Sequence, residues 1–379
     1  MTTTRRVLVV GAGLAGLAVT RGLRALGADV ELVELRSEFA EPGAGLLLTG
    51  NALRALDALR VGAAVRAAGR AVRTVRFADA EGRDLFHVDV AGRRGWPDFV
   101  SIHRAELQRA LLESGTPVRP RLGLTVEALE PDGARVDVRF SNGASDSFDL
   151  VVGADGLRSR VRELLFGAAP LEPIAGFTGW RFIAPCPAEL RDPLYVLGNG
   201  RTLLLHPLAG GDVYCGAGPV EVGAPCTRGS ERERLRAAFA GFGPPARAVL
   251  DGVGDATPLI PTQYWQLERA PWHRGRCVLV GDAAHASAPT LAQGAAMAFE
   301  DACVLCELLA EGRDVEPVLQ AFDRRRRDRV ESVQRESRAR MEANRSLEPA
   351  RLELRNQVLR KVGASQLTAA WGPLMERSP

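Results

Sequence analysis

Lysine is almost missing from this chain. Lys361 is the only one in 379 residues, and the other 48 of the 49 basic side chains are arginine. That bias reads as the codon usage of a GC-rich genome, not as a binding signal. Net charge is only +3, so nothing global points to a nucleic acid or an anionic membrane surface. Cysteine is sparse and scattered, with six in a chain too long to need stapling. Cys303 and Cys306 form a C-x-x-C. It sits in an apolar, helix-like stretch without the strand-to-helix turn of a thioredoxin unit, so both read as core. His87, His103, His206, His273 and His285 show no metal-ligand spacing, and no metal is expected. There is no internal repeat. No window reaches 18 uninterrupted apolar residues, so no membrane span is expected. The apolar run after Arg5-Arg6 imitates a signal peptide. Three glycines interrupt it, and Arg21, Arg24, Asp29 and Glu31 follow with helix and strand periodicity. A soluble, cytoplasmic chain is the expectation.

What remains is globular: 46% hydrophobic, 25% charged, with 40 Gly and 23 Pro. At roughly 150 residues per domain, the length suits one large or two ordinary domains. Residues 6–34 read as strand, glycine-rich turn, helix, strand, which is one βαβ unit. Residues 46–68 look helical, with Asn51 as a plausible N-cap. Residues 71–90 alternate as strands, and Ile102 to Leu112 reads as an amphipathic helix. Three strands in a meander are expected over 122–153, turning at Pro131-Asp132-Gly133 and Ser141-Asn142-Gly143. Residues 171–270 change character. Strand-like pieces at 177–184, 194–198, 202–206, 212–217 and 257–266 alternate with Gly/Pro turns, with one helix at 229–241. A buried parallel-type strand returns at 276–280. Helices at about 294–311 and 314–345 follow, then a helical tail.

Three segments carry chemistry. Gly11-Ala12-Gly13-Leu14-Ala15-Gly16 matches G-x-G-x-x-G between a strand and a helix. Its glycines permit a tight turn, close approach to a pyrophosphate, and tight helix–strand packing. Phosphates then meet free N–H groups at the positive end of the helix dipole. Glu34 ends the second strand, where an acid accepts ribose hydroxyls. An acid there argues against a 2′-phosphate, but leaves FAD and NAD both open. The second segment is an apolar strand ending in Asp155-Gly156, and the third is a strand delivering Gly281-Asp282, followed by a loop that opens a helix near Gly294. A helix N-terminus beside a flavin stabilises negative charge on the reduced ring.

With these segments in this order, the chain resembles the group A, single-component FAD-dependent monooxygenases. These are of the aromatic-ring hydroxylase type, with the fold of p-hydroxybenzoate hydroxylase. The resemblance spans about residues 5–345. It implies an α/β fold: a Rossmann-like FAD-binding domain made of residues 1–70, 100–170 and 271–345. A mainly antiparallel substrate sheet (71–99 and 171–270) is inserted, and long C-terminal helices end in a tail at 346–379. It implies tightly held, non-covalent FAD on Gly11, Gly13, Leu14, Ala15, Gly16, Glu34, Leu35, Arg36, Gly45, Arg104, Asp155, Gly156, Gly281, Asp282, Pro289, Gln293, Gly294 and Ala295. The family's usual Gly-Gln-Gly reads Ala292-Gln293-Gly294 here, which bears on the seat of the flavin ring.

The same resemblance implies a cycle. NAD(P)H visits transiently and reduces FAD, O2 adds to give a flavin C4a-hydroperoxide, and one oxygen passes to an electron-rich, aromatic or polyketide-like small molecule. Epoxidation or Baeyer–Villiger oxidation on the same fold is the alternative, and a non-catalytic ligand-binding flavoprotein a lesser one. On the substrate side, His206 is the candidate base, because a phenolate is the better nucleophile. Tyr214 and Arg181 are candidate hydrogen-bond or carboxylate partners. Tyr195, Phe182 and Trp180 read as core or pocket wall, and His285 as a residue that orders its loop. The run from Asp323 to Arg329 reads as a solvated or domain-clamping helix. A monomer or homodimer is expected.

Overall fold

The computed structural model describes residues 5–39, 44–131, 134–167, 171–220, 231–267, 270–312, 314–343 and 348–379. Val7 to Val10 are almost wholly buried because strands pair with them on both sides. They sit in a six-stranded sheet ordered His273–Arg274, Cys277–Leu279, Leu150–Gly153, Arg6–Val10, Asp29–Glu34, Arg121–Leu122. All pairs are parallel except the first, which is antiparallel. The helix Leu14–Ala25 packs between this sheet and the helix Gly294–Ala310. Gly22 makes that packing close, since a Cβ there would lie 2.5 Å from the Cys306 Sγ. Cys303 and Cys306 are therefore core, and burial pushes both thiols up to about 12.

A second sheet has seven strands, in the order Ile260–Leu267, Leu171–Pro185, Asp212–Val220, Arg201–Pro207, Leu194–Gly198, Thr74–Asp79, Asp84–Asp89. Alternation along these strands gives the sheet two apolar faces. Phe182, Leu203, Leu205, Val213 and Cys215 pack under the helices Glu231–Ala238 and Ala246–Asp251. The opposite face carries Arg181, Tyr195, Leu204 and Tyr214 toward the C-terminal helices. The helix Pro349–Glu376 crosses that side and lies against Asp84–Asp89.

Several local expectations need correction. Residues 46–68 are not one helix. The apolar Gly45–Leu48 pairs with Phe99–His103 as a strand, and helices run from Gly50 to Ala58 and from Gly62 to Ala68. Thr49, not Asn51, sits at the N-cap, and Asn51 is drawn into a buried polar network. The helix expected at Ile102 starts at Arg104, capped by the His103 ring, whose Nδ1 accepts from the Ala105 amide at 3.1 Å. The meander is Val126–Glu130, Val136–Phe140 and Ser145–Phe148, whereas Leu150–Gly153 belongs to the parallel sheet. Asp132 and Gly133 of the first turn lie outside the described residues, as do 229–230, 344–345 and the start of the tail.

Candidate active site

The C-terminal ends of the parallel strands converge on one crevice, as open α/β sheets arrange their ligand sites. Gly11 follows Val10 at φ +100°, and a Cβ there would lie 2.6 Å from the Ala154 carbonyl oxygen, so only glycine turns the chain here. A Cβ on Gly16 would lie 1.8 Å from the Gly11 oxygen. Gly13 differs from both, because its Cβ would meet nothing within 4 Å. It caps the helix Leu14–Ala25 with no side chain satisfying the helix's free amides. Glu34 reaches into the same turn, its carboxylate accepting from the Ala12 amide at 2.8 Å and the Arg36 amide at 3.0 Å. Leu35 and Arg36 are exposed beside it. Asp155 is engaged locally, accepting from the Ser159 hydroxyl and the Val161 amide at the start of the helix Arg160–Phe166. Arg104 is half-buried, and burial pushes its guanidinium down while Asp282 opposes that shift. Arg36 and Arg181 lie near enough to repel it. Glycine fingerprint, Glu34, Arg104 and Gly281-Asp282 thus border one crevice.

A second uncapped helix N-terminus faces this region, at Gly294 after the turn Pro289–Leu291. Ala292 sits in that turn at φ +54°, ψ +36°, the left-handed region an alanine avoids. Ala292→Gly should relieve about 1–2 kcal/mol of backbone strain and return about half of it as unfolded-chain entropy. A net gain of about 0.5–1 kcal/mol in denaturant unfolding is expected, and a loss would show that the turn tolerates the methyl group freely.

Beneath the turn lies a buried polar network. The Gln293 amide donates to the Thr49 hydroxyl at 2.9 Å, and the Asn51 amide donates to Gln293 and to Glu300, both at 2.9 Å. Arg326, fully buried, bridges Glu300 at 2.6 Å and Asp301 at 2.8 Å. Arg329 adds a bond to Glu300 at 2.7 Å. Asp301 in turn accepts from the Gly281 amide at 2.9 Å and pairs with the His285 ring at 2.7 Å. Burial would raise Asp301, but His285 and Arg326 outweigh it and hold this carboxyl down at about 2. His285 therefore does order its loop. Within the basic run, Arg326 is neither solvated nor free but the centre of a clamp.

Between the seven-stranded sheet and the C-terminal helices lies a cavity of about 260 Å³. Pro289 and Thr290 of the turn form its wall on one side, and Arg181, Tyr214 and Tyr264 on another. Tyr214 packs on Gly45, where a Cβ would lie 2.5 Å from the tyrosine's own Cβ. Phe86, Phe77 and Tyr195 stack in a row, with ring centroids 4.3 and 4.6 Å apart. Arg181 lies 5.8 Å from the centre of the Tyr264 ring. His206 shares this sheet face but is covered. Its Nε2 is 3.3 Å from the Tyr195 hydroxyl, its Nδ1 has no partner among the described residues, and burial pushes the ring down to about 3. His206 is not among the residues lining the cavity, and burial that disfavours its protonated form argues against the expected base. An unfolded histidine titrates near 6.5. Above that value both states are neutral and the stability is intact. Below it only the unfolded chain takes the proton, so stability falls from about pH 6.5 toward pH 3. By pH 5 the loss should be about 2 kcal/mol. Urea unfolding of His206→Gln should lack that part of the slope.

A family described as FAD binding domain matches residues 4–182 and 252–337. The chain belongs to this family, among the group A FAD-dependent monooxygenases. A 3-amino-4-hydroxybenzoate 2-monooxygenase of Streptomyces platensis is 36% identical over 360 residues, 88% of this chain and 87% of that protein. A 2-heptyl-3-hydroxy-4(1H)-quinolone synthase of Pseudomonas aeruginosa is 32% identical over 338 residues, 87% of each chain. Among solved structures, Klebsiella pneumoniae HpxO complexed with FAD and uric acid superposes with a TM-score of 0.90. It is 26% identical, and the match covers 99% of this chain and 98% of that one.

The crevice fits the FAD of these monooxygenases. Space is open beyond Gly13 and Gly294, two helix N-termini await an acceptor, and Arg104 has no ion-paired carboxylate among the described residues. Among the described residues, no helix is long and apolar enough to cross a membrane. Sequence reasoning named a domain-clamping helix over Asp323–Arg329 as one reading, but it did not connect Arg326 and Arg329 to Glu300, or Asn51 to that network. The signal was present in Glu300-Asp301 on an otherwise apolar helix. It also missed Tyr264 and the cavity wall formed by the helix Pro349–Glu376, for which no motif exists.

Proposed function

We propose that this monooxygenase uses NAD(P)H and O2 to hydroxylate a small aromatic molecule held in the cavity beside the flavin turn. The observation carrying this reading is the cavity itself, where Pro289 and Thr290 of the turn face Arg181, Tyr214 and Tyr264. FAD held there would supply oxygen activation, with NAD(P)H as the two-electron reductant, one oxygen atom of O2 going to the substrate and the other to water.

The chain's own residues bind, orient and polarise. Gly11, Gly13, Leu14, Ala15 and Gly16 present backbone amides to the pyrophosphate, and Glu34 takes the ribose, with Leu35 and Arg36 beside it. Gly45, Arg104, Asp155, Gly156 and Asp282 border the nucleotide and ribityl portions. Pro289, Gln293, Gly294 and Ala295 set the helix N-terminus against the ring, where its dipole stabilises negative charge. The Phe86–Phe77–Tyr195 row gives the cavity an apolar wall away from Tyr214. Arg181 lowers the cost of an oxyanion on the substrate, so a phenol gives its proton up to solvent and is held as its phenolate without a neighbouring protein base. Tyr214, which burial pushes up to about 12, stays a hydrogen-bond donor throughout.

This arrangement favours hydroxylation over oxygen insertion beside a carbonyl, because a cation near the reacting end suits a phenolate. The test is NAD(P)H oxidation by the FAD-loaded protein with a panel of phenols, followed by product mass. A product with one added oxygen and an intact ring supports the reading. An ester or lactone, or no ligand-stimulated oxidation, rejects it.

A further inference from the structure

One charge in the cavity has no counterpart. Arg355, from the helix Pro349–Glu376, donates to the Leu197 carbonyl at 3.5 Å and to the Asn356 side chain at 2.9 Å. Its Nη1 is buried without a partner, and burial pushes its guanidinium down with no neighbouring charge opposing the shift. Arg340, from the helix Val315–Ala343, is a second cation in the same wall, its Nε also buried and unpartnered. Among the described residues, no carboxylate lines the cavity. A desolvated guanidinium is costly unless an anion joins it, and its planar fork matches a carboxylate.

Strand register places this charge far from Tyr214. Tyr214 pairs with His206, Gly218 pairs with Thr202, and Thr202 pairs with Leu197. Tyr214 and the Leu197–Arg355 end are thus separated by four residues of strand, about 13 Å. Tyr195 lies between them in register, level with Leu204 and Gly216, and the Phe77 and Phe86 rings continue from it across the neighbouring strands.

We propose that the cavity selects an elongated aromatic carboxylate, its reacting ring at the Tyr214 end and its carboxylate on Arg355. This specificity rests on the reading of the cavity as the substrate site. Arg340 adds positive potential where the cavity meets an outer groove between the two C-terminal helices.

The test measures binding, not turnover, by perturbation of flavin absorbance in the FAD-loaded protein. The probes are 4-hydroxybenzoate, 6-hydroxy-2-naphthoate, 4′-hydroxybiphenyl-4-carboxylate and the primary carboxamide of each. The longest acid should bind about tenfold or more tightly than its amide, and the shortest acid should show little preference. Arg355→Gln should erase the preference while leaving amide binding in place. Arg355→Lys, which keeps the charge, should retain it and guards against a folding defect in the first variant. Equal binding of acids and amides, binding by none of the six, or a preference surviving in Arg355→Gln overturns the proposal. Failure of the broader reading looks different: ligands bind, yet NAD(P)H oxidation does not respond.

Discussion

Arg326→Met should cost about 3–5 kcal/mol of unfolding free energy, read as a shift in the denaturant midpoint. The arginine is fully buried and holds two buried acids at once, Glu300 at 2.6 Å and Asp301 at 2.8 Å. Methionine fills the space but leaves two buried carboxylates with Arg329 as their one remaining arginine, beside the His285 ring and the Asn51 and Gly281 amides. The loss should persist in high salt, because a buried pair is screened far less than a surface one. The acid limb should change as well. Asp301 is held at about 2, below its unfolded value near 4, so its contribution is present above pH 4 and disappears as pH falls toward 2. Without Arg326, that acid-labile contribution should shrink. Arg325→Met, one residue away, removes a half-exposed pair with Glu307 and exposed bonds to the Pro379 carbonyl, and should cost less than about 1 kcal/mol. A similar cost for the two variants would contradict the clamp.

Two glycines in the first turn should fail in opposite ways. Gly16→Ala puts a methyl group 1.8 Å from the Gly11 oxygen, backbone against backbone, so the turn itself must move and the apoprotein should lose stability. Gly13→Ala puts a methyl group where the protein has nothing within 4 Å. Its apoprotein should melt within about 1 kcal/mol of the parent. FAD affinity should nevertheless fall about a hundredfold, equivalent to about 2.7 kcal/mol, because the new methyl group occupies the approach to the helix N-terminus. The measurement is flavin retention on gel filtration, set beside the melting of cofactor-stripped protein. A Gly13→Ala variant that keeps its flavin as firmly as the parent would mean that the pyrophosphate does not approach there.

How far the sequence could be read depended on the range of the interaction. The βαβ unit announced itself because its pattern is local: an apolar strand, glycines at fixed offsets, then helical spacing to Gly27. The inserted sheet was visible for the same reason, as strands punctuated by turns. Residues 46–68 misled because Leu46, Leu47 and Leu48 suit a helix as well as a strand. Their pairing with Phe99–His103, some fifty residues away, decides the matter. Asn51 looked like a cap because caps are local, whereas its partners Gln293 and Glu300 lie about 250 residues distant. His206 attracted attention as a titratable group on an apolar strand. Only the packing of Tyr195 and Tyr214 around it shows that it is sealed. Arg355 carries no motif at all, and its significance comes from what fails to surround it.

The helix Pro349–Glu376 does two jobs along its length. Arg355, Leu359, Gln366 and Leu367 face the cavity. Beyond them, the Trp371 indole donates to the Leu291 carbonyl at 3.2 Å, beside the strained Ala292, and Arg329 and Arg54 donate to the Leu374 and Met375 carbonyls. On the proposed function, new substrates are therefore most accessible through changes up to Leu367, which reshape the chamber and leave the contacts to the Pro289–Leu291 turn alone. Changes from Trp371 onward would loosen the grip on the Pro289–Leu291 turn, whatever molecule the chamber admits. Laboratory evolution of this scaffold should accumulate its useful replacements before Trp371 and few after it.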